Sequence, residues 1–195
     1  ASDSPFTTAG LTYYYLEDFE DGLLNTPGVT ASAGSFLTTT SYAASVIDSV
    51  DADDGAIDGS GNNGESWFSS VGTAGLTFTF DAGVLGSLPT QAGIVWTDGV
   101  NPVTFEAFDA WGASLGTVGP IDTADGNFSG GTAEDRFFGV MYSGGISKIR
   151  VLSGASGIEV DHLQYGASPI PAPAAVVLAG LGAGLVGWLR RRHAL

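Results

Sequence analysis

Leu76-Thr77-Phe78-Thr79-Phe80 and Val103-Thr104-Phe105-Glu106-Ala107-Phe108-Asp109 decide the fold class, because both alternate apolar and polar residues at a period of two. A strand turns successive side chains to opposite faces, so Val103, Phe105 and Ala107 share one side and the first stretch shows a half-buried strand of the same kind. Outward from these, Ile94 to Thr97 precedes the turn residues Asp98-Gly99, and Ala110-Trp111-Gly112 closes a hairpin from Val103–Asp109 into Ser114 to Val118. Phe137 to Tyr142, Ile146 to Leu152 and Gly157 to Tyr165 read as three more strands, separated by Ser143-Gly144-Gly145 and Ser153-Gly154. No long stretch of the body carries the 3.6-residue period of a helix. Eight or more short strands punctuated by Gly, Ser and Thr predict an all-β sandwich over residues 1–166.

The last 27 residues, Pro169 to Leu195, have a different character. A proline-spaced hinge, Ile170-Pro171-Ala172-Pro173, closes a linker over 167–173 and leads into 16 apolar residues, Ala174 to Leu189, which run into Arg190, Arg191 and Arg192. As a helix this run spans about 24 Å at ~1.5 Å per residue. That is somewhat short for a bilayer core of about 30 Å, and snorkelling arginines extend it. The expectation is one transmembrane helix over 174–189 with a basic cytoplasmic tail over 190–195, which leaves the body outside. A buried core helix is the alternative, but such a helix is normally amphipathic.

Composition narrows the partners. All 21 acidic residues lie in the body, against Arg136, Lys148 and Arg150, so the body carries a formal charge of −18. Nucleic acid and anionic surfaces are disfavoured. An acidic surface also serves solubility alone. There is no cysteine, which excludes disulfides, thiolate metal sites and a cysteine nucleophile. Export requires a signal peptide, and Ala1-Ser2-Asp3-Ser4-Pro5 has neither the basic nor the apolar region of one, so the expectation is a signal removed or truncated.

Three acidic groups stand out. Asp51, Asp53, Asp54 and Asp58 place four carboxylates in eight residues around Gly55. Crowded carboxylates are either solvated or neutralised by a hard cation, and an oxygen-only set on a glycine-bent loop favours Ca²⁺. The spacing is not that of an EF-hand, because Ala56 stands where its glycine belongs and Asn62 where its closing Glu belongs. Glu17, Asp18, Glu20 and Asp21 form a second group in the predicted first-strand region, and Glu159 with Asp161 a third in the last strand. Strict alternation would put Glu159 and Asp161 on one face with Leu163 and Tyr165, and Ile158, Val160 and His162 on the other. Catalysis has little support. His162 is the only histidine of the body, no Gly-x-Ser-x-Gly elbow and no zinc-type histidine spacing occurs, and carboxylate pairs such as Glu106 and Asp109 are numerous in so acidic a chain. Trp111, in a Trp-Gly turn, is either a sugar-stacking ring or a core plug.

The Pro171-Ala172-Pro173 motif, the single Ala/Leu/Gly-rich apolar run and the closing arginines together resemble the PEP-CTERM sorting signal of Gram-negative bacteria. The resemblance implies export, transient residence in the inner membrane and processing near the motif by an exosortase. Ala172 departs from the commonest form, which carries Glu there. A weaker resemblance covers the body: Phe19-Glu20-Asp21-Gly22 and Ile158 to Gly166 are similar to the terminal strands of jelly-roll, lectin-like exported domains. In those domains a structural Ca²⁺ often ties the first and last strands, which implies Glu20 and Asp161 as ligands. This site and the 51–58 group can be one. The expectations are therefore a non-enzymatic exported protein of the envelope or the extracellular polysaccharide matrix, stabilised by calcium. A calcium-dependent carbohydrate-binding module and a secreted polysaccharide hydrolase are the alternatives.

Overall fold

A computed structural model describes residues 5–37, 50, 65–99, 102–122, 135–154 and 157–169. The strands are β1 (Tyr13–Glu17), β2 (Val29–Ala31), β3 (Ser35–Leu37), β4 (Ser66–Ser69), β5 (Leu76–Phe80), β6 (Gln91–Asp98), β7 (Val103–Asp109), β8 (Ser114–Ile121), β9 (Arg136–Met141), β10 (Ile146–Ser153) and β11 (Ile158–Ala167). The one helix among the described residues, α1 (Ala82–Leu85), is a single turn. Asp81 caps its N-terminus and Gly86 ends it at φ 81°. Among these residues no helix is long and apolar enough to cross a membrane. The expected span at 174–189, the motif Pro171, Ala172 and Pro173, and Arg190, Arg191 and Arg192 all lie outside the described residues.

Two antiparallel sheets form the sandwich. The first runs β3-β4-β11-β6-β9, with β1 also on β11, and the second β2-β5-β10-β7-β8. The period-two alternation of β5 and β7 is realised directly. Leu76, Phe78 and Phe80 on β5, Val103, Phe105 and Ala107 on β7, and Ile146, Ile149 and Val151 on β10 enter one core with Ala92, Ile94 and Trp96 of β6. Rings join the sheets across it: Phe80 meets Tyr165 at 4.9 Å and Phe105 stacks on Phe138 at 6.1 Å. Tyr165 donates to the Pro27 carbonyl and Tyr13 to the Ser87 carbonyl, and burial pushes both phenols up to about 12. Both hydroxyls therefore stay protonated donors that tie loops onto the core.

Strict alternation fails in β11. All ten of its residues are buried, yet its pairing with β6 slips by one residue between Asp161 and Gln164. His162, at φ 47°, occupies the slip. The bulge reverses the phase of the pleat. Ile158 and Val160 face the core before it, and Leu163 and Tyr165 face the core after it. Glu159 and Asp161 thus do not share a face with Leu163 and Tyr165, contrary to the sequence expectation.

The first strand also differs from expectation. β1 comprises the tyrosines Tyr13–Tyr15 and stops at Glu17. Phe19 to Gly22 is a turn, with the Gly22 N–H donating to the Phe19 carbonyl at 2.8 Å and Phe19 at φ 60°. That backbone region is costly for an aromatic residue. It is held because the ring is fully buried, 5.6 Å from the ring of Trp67.

Candidate functional site

Two regions gather the residues that the sequence singled out. The first is the row of acids along β11. β6 occupies one edge of β11 over residues 159–166, so β4, paired with Ile158–Val160, and β1, paired with Leu163–Ala167, lie end to end on the other. The gap between them falls at the Asp161-His162 bulge. There the Asp161 carboxylate, wholly buried, accepts the Val50 N–H on Oδ2 at 2.8 Å and the His162 N–H on Oδ1 at 2.6 Å. Buried His162 places Nδ1 at 3.3 Å from the same carboxylate. Glu159 accepts the Ser66 hydroxyl at 2.5 Å. These contacts satisfy buried carboxylates by hydrogen bonding, as a low dielectric demands.

Glu20, the other ligand implied by resemblance, is exposed and accepts the Glu65 N–H at 2.7 Å. Val50 and Glu65 are the residues on either side of 51–64. The described residues flanking that acidic stretch are thus held at the Asp161 carboxylate on one side and at the Glu20 carboxylate on the other. Asp51, Asp53, Asp54 and Asp58 themselves lie outside the described residues. Among the described residues no group of three or more acids and histidines could hold a metal. Ca²⁺ takes about six to eight oxygens, so Glu20 and Asp161 do not by themselves make a site for it.

Glu17 plays a role the sequence did not reveal. Its side chain, 3 % exposed, accepts the N–H groups of Phe19, Asn25 and Thr26. It organises the turn that carries Glu20. An acidic cluster in a sequence does not show which member faces inward, and burial follows from where β1 ends.

The second region is the β7–β8 hairpin. Trp67 and Trp96 pack in or against the core, whereas Trp111 is 84 % exposed at the hairpin tip. The tip is rigidly built. Asp109 Oδ1 accepts from the Trp111 and Ala113 N–H groups at 2.9 and 2.8 Å, Gly112 adopts φ 80°, and the Ser147 hydroxyl donates to the Asp109 carbonyl. On the outer face of the same sheet the Phe108 ring lies under Lys148, 4.4 Å from its centroid, and Arg150, at 5.4 Å. Arg150 also pairs with Glu106 at 2.5 Å, and the Ser114 hydroxyl donates to Glu106 at 2.7 Å. Two of the body's three basic residues thus meet one aromatic ring on one face.

The Ser114 hydroxyl first, and Arg150 with it, hold the Glu106 carboxyl below its ordinary value, against the opposing effect of burial. A depressed folded-state pKa contributes stability that is present above the unfolded value and lost as pH falls through the folded one. Thermal melts between pH 7 and 3 should accordingly show a small acid-side loss that Glu106→Gln removes, worth under about 1 kcal/mol for a surface pair. An unchanged acid limb in the variant would show that the pair contributes nothing.

No family model matches this sequence, and no curated protein does. Among solved structures the fold is similar to the K2 cleaved adhesin domain of Lys-gingipain (TM-score 0.48, 10 % identity, covering 78 % of this chain and 99 % of that one). It is also similar to a xylan-binding domain from CBM 22 (0.42, 14 %, 85 % and 99 %) and to the lectin domain of lectinolysin complexed with Lewis B antigen (0.36, 12 %, 74 % and 95 %). At such values no residue's role passes from them to this chain.

Proposed function

We propose that this chain is an exported, non-enzymatic protein of the cell envelope or extracellular matrix, sorted by its C-terminal segment and stabilised by calcium. What supports the reading is the way the chain leaves the sandwich. β11, central in its sheet, ends at Ala167, and the exit is fastened where the Ser168 N–H donates to the Thr90 hydroxyl at 2.8 Å. Only Ile170-Pro171-Ala172-Pro173 then separate Pro169 from the 16 apolar residues and the three arginines. A folded domain joined so closely to an apolar run with a basic end suits a membrane-retained precursor that an exosortase processes at the motif.

Replacing Arg190, Arg191 and Arg192 with glutamine should reduce retention of the precursor in the inner-membrane fraction several-fold, since those charges hold the cytoplasmic end. Fractionation with mass measurement reads both location and processing. A soluble, full-length product from wild type and variant alike would count against a membrane signal.

A second reading, a carbohydrate-binding domain, is favoured by Trp111, whose broad apolar ring is presented to solvent on a fixed turn. Aromatic rings so placed stack on sugars. Trp111→Ala should then lower affinity for a polysaccharide found on a glycan array by about tenfold, or ~1.4 kcal/mol. Stability should stay within about 0.5 kcal/mol, as for an ordinary surface site. Affinity that survives the substitution would exclude the hairpin as the sugar site.

A further inference from the structure

The described residues include nine large apolar side chains that remain exposed, and the three most exposed are Trp111 at 84 %, Met141 at 70 % and Val84 at 62 %. All three lie at one end of the sandwich. Trp111 caps the β7–β8 hairpin beyond Asp109, which pairs with Ile146. Met141 ends β9, just before the turn that returns to Ile146. Val84 belongs to α1, which follows β5 at the end where Thr79 pairs with Lys148.

The chain exits at this same end. Thr90 joins the pieces: its carbonyl accepts the Tyr142 N–H, its N–H donates to the Gly166 carbonyl, and its hydroxyl accepts from Ser168. The neighbouring Pro89 carbonyl accepts the Ile146 N–H at 2.8 Å. The four residues from Ile170 to Pro173 reach at most about 14 Å even when fully extended. The end that carries Trp111, Met141 and Val84 therefore cannot stand far from the start of the apolar run.

Charge is consistent with this. Two carboxylates of the exit end are committed to their own turns, Asp81 to the Gly83 N–H and Asp109 to the Trp111 and Ala113 N–H groups. Asp161, which takes the Val50 N–H, lies at the bulge within β11, away from the exit at Ala167.

We infer that the exit end of the sandwich is a lipid-facing surface, with Trp111, Met141 and Val84 seated in the headgroup boundary of the bilayer that holds the C-terminal run. This rests on the anchored reading under the proposed function and adds an orientation to it. Tryptophan suits that boundary because its ring is apolar and its N–H can stay hydrated, and such groups enter about 5–10 Å. A body at −18 gains nothing from anionic lipid, so the contact is apolar and holds on zwitterionic membranes.

The absence of cysteine makes the test direct. The full chain carrying Trp111→Cys, Met141→Cys or, toward the opposite end, Val71→Cys is labelled with an environment-sensitive dye and reconstituted into phosphatidylcholine vesicles bearing a headgroup-level quencher. Quenching at 111 and 141 should exceed that at 71 by about threefold or more, as expected for rings at the interface rather than in water. Equal quenching at the three positions, in a chain that floats with the vesicles, overturns the lipid-facing end and leaves anchoring intact. A chain that does not float overturns both. If 111 stays in water while Trp111→Ser abolishes binding to an immobilised polysaccharide, the hairpin is a sugar platform and the inference fails. The two independent labelling sites keep the result readable if one variant misfolds.

Discussion

Glu17→Ala is expected to lower the stability of the sandwich by about 3–5 kcal/mol, because it strips the acceptor from three backbone N–H groups at once and each orphaned donor costs roughly 1–3 kcal/mol. The turn it organises includes Phe19, held at φ 60° with its ring in the core, and Pro27, whose carbonyl takes the Tyr165 hydroxyl. Loss of the carboxylate frees a strained residue and a core contact together. In a domain of this size, each 1 kcal/mol is worth about 2–4 °C in melting temperature, so the fall should exceed that of any surface substitution. Glu17→Gln keeps one acceptor oxygen and should recover about half of the loss, with one donor left facing an amide N–H₂. Chemical denaturation measures both. A loss below about 1 kcal/mol in the alanine variant would mean that water replaces the carboxylate and that the turn is not organised by it.

Asp161→Ala should cost a comparable amount, about 2–5 kcal/mol, since its carboxylate is wholly buried and takes the N–H groups of Val50 and His162 at the gap between β4 and β1. The calcium reading adds a separate arm. A ligand that binds only the folded chain at about 100 times its dissociation constant adds roughly 2.7 kcal/mol. Millimolar Ca²⁺ should therefore raise the wild-type melting temperature by several degrees over chelator. Mg²⁺ and NaCl should not match it, because only a shaped oxygen cage prefers the larger divalent ion to screening. In Asp161→Ala the calcium-dependent shift should vanish as well as the baseline stability. No shift in wild type would remove calcium from the account altogether. A shift that survives in the variant would reduce Asp161 to its hydrogen-bonding role and leave Asp51, Asp53, Asp54 and Asp58 as the ligands.

The sequence by itself determined the sandwich. β5 and β7 have the bounds that their alternation predicts, and the strands of the second half follow from apolar runs between glycine turns, because period-two burial is a local property of the chain. It also placed Trp111 on a hairpin turn, since Trp-Gly after an alternating strand is turn chemistry, though not whether the ring faces the core or the solvent. β2, β3 and β4, three to four residues each, were not legible, because strands so short exist only through the partners they pair with. The face on which Glu159 and Asp161 lie was decided by a one-residue slip against β6, and a bulge is a property of two strands rather than of one. Likewise only the fold singled out Glu17 from its acidic neighbours and brought Trp111, Met141 and Val84 to the end where the chain leaves. Which residues share an end of a sandwich depends on strand order, and strand order is set by long-range pairing that no local pattern encodes.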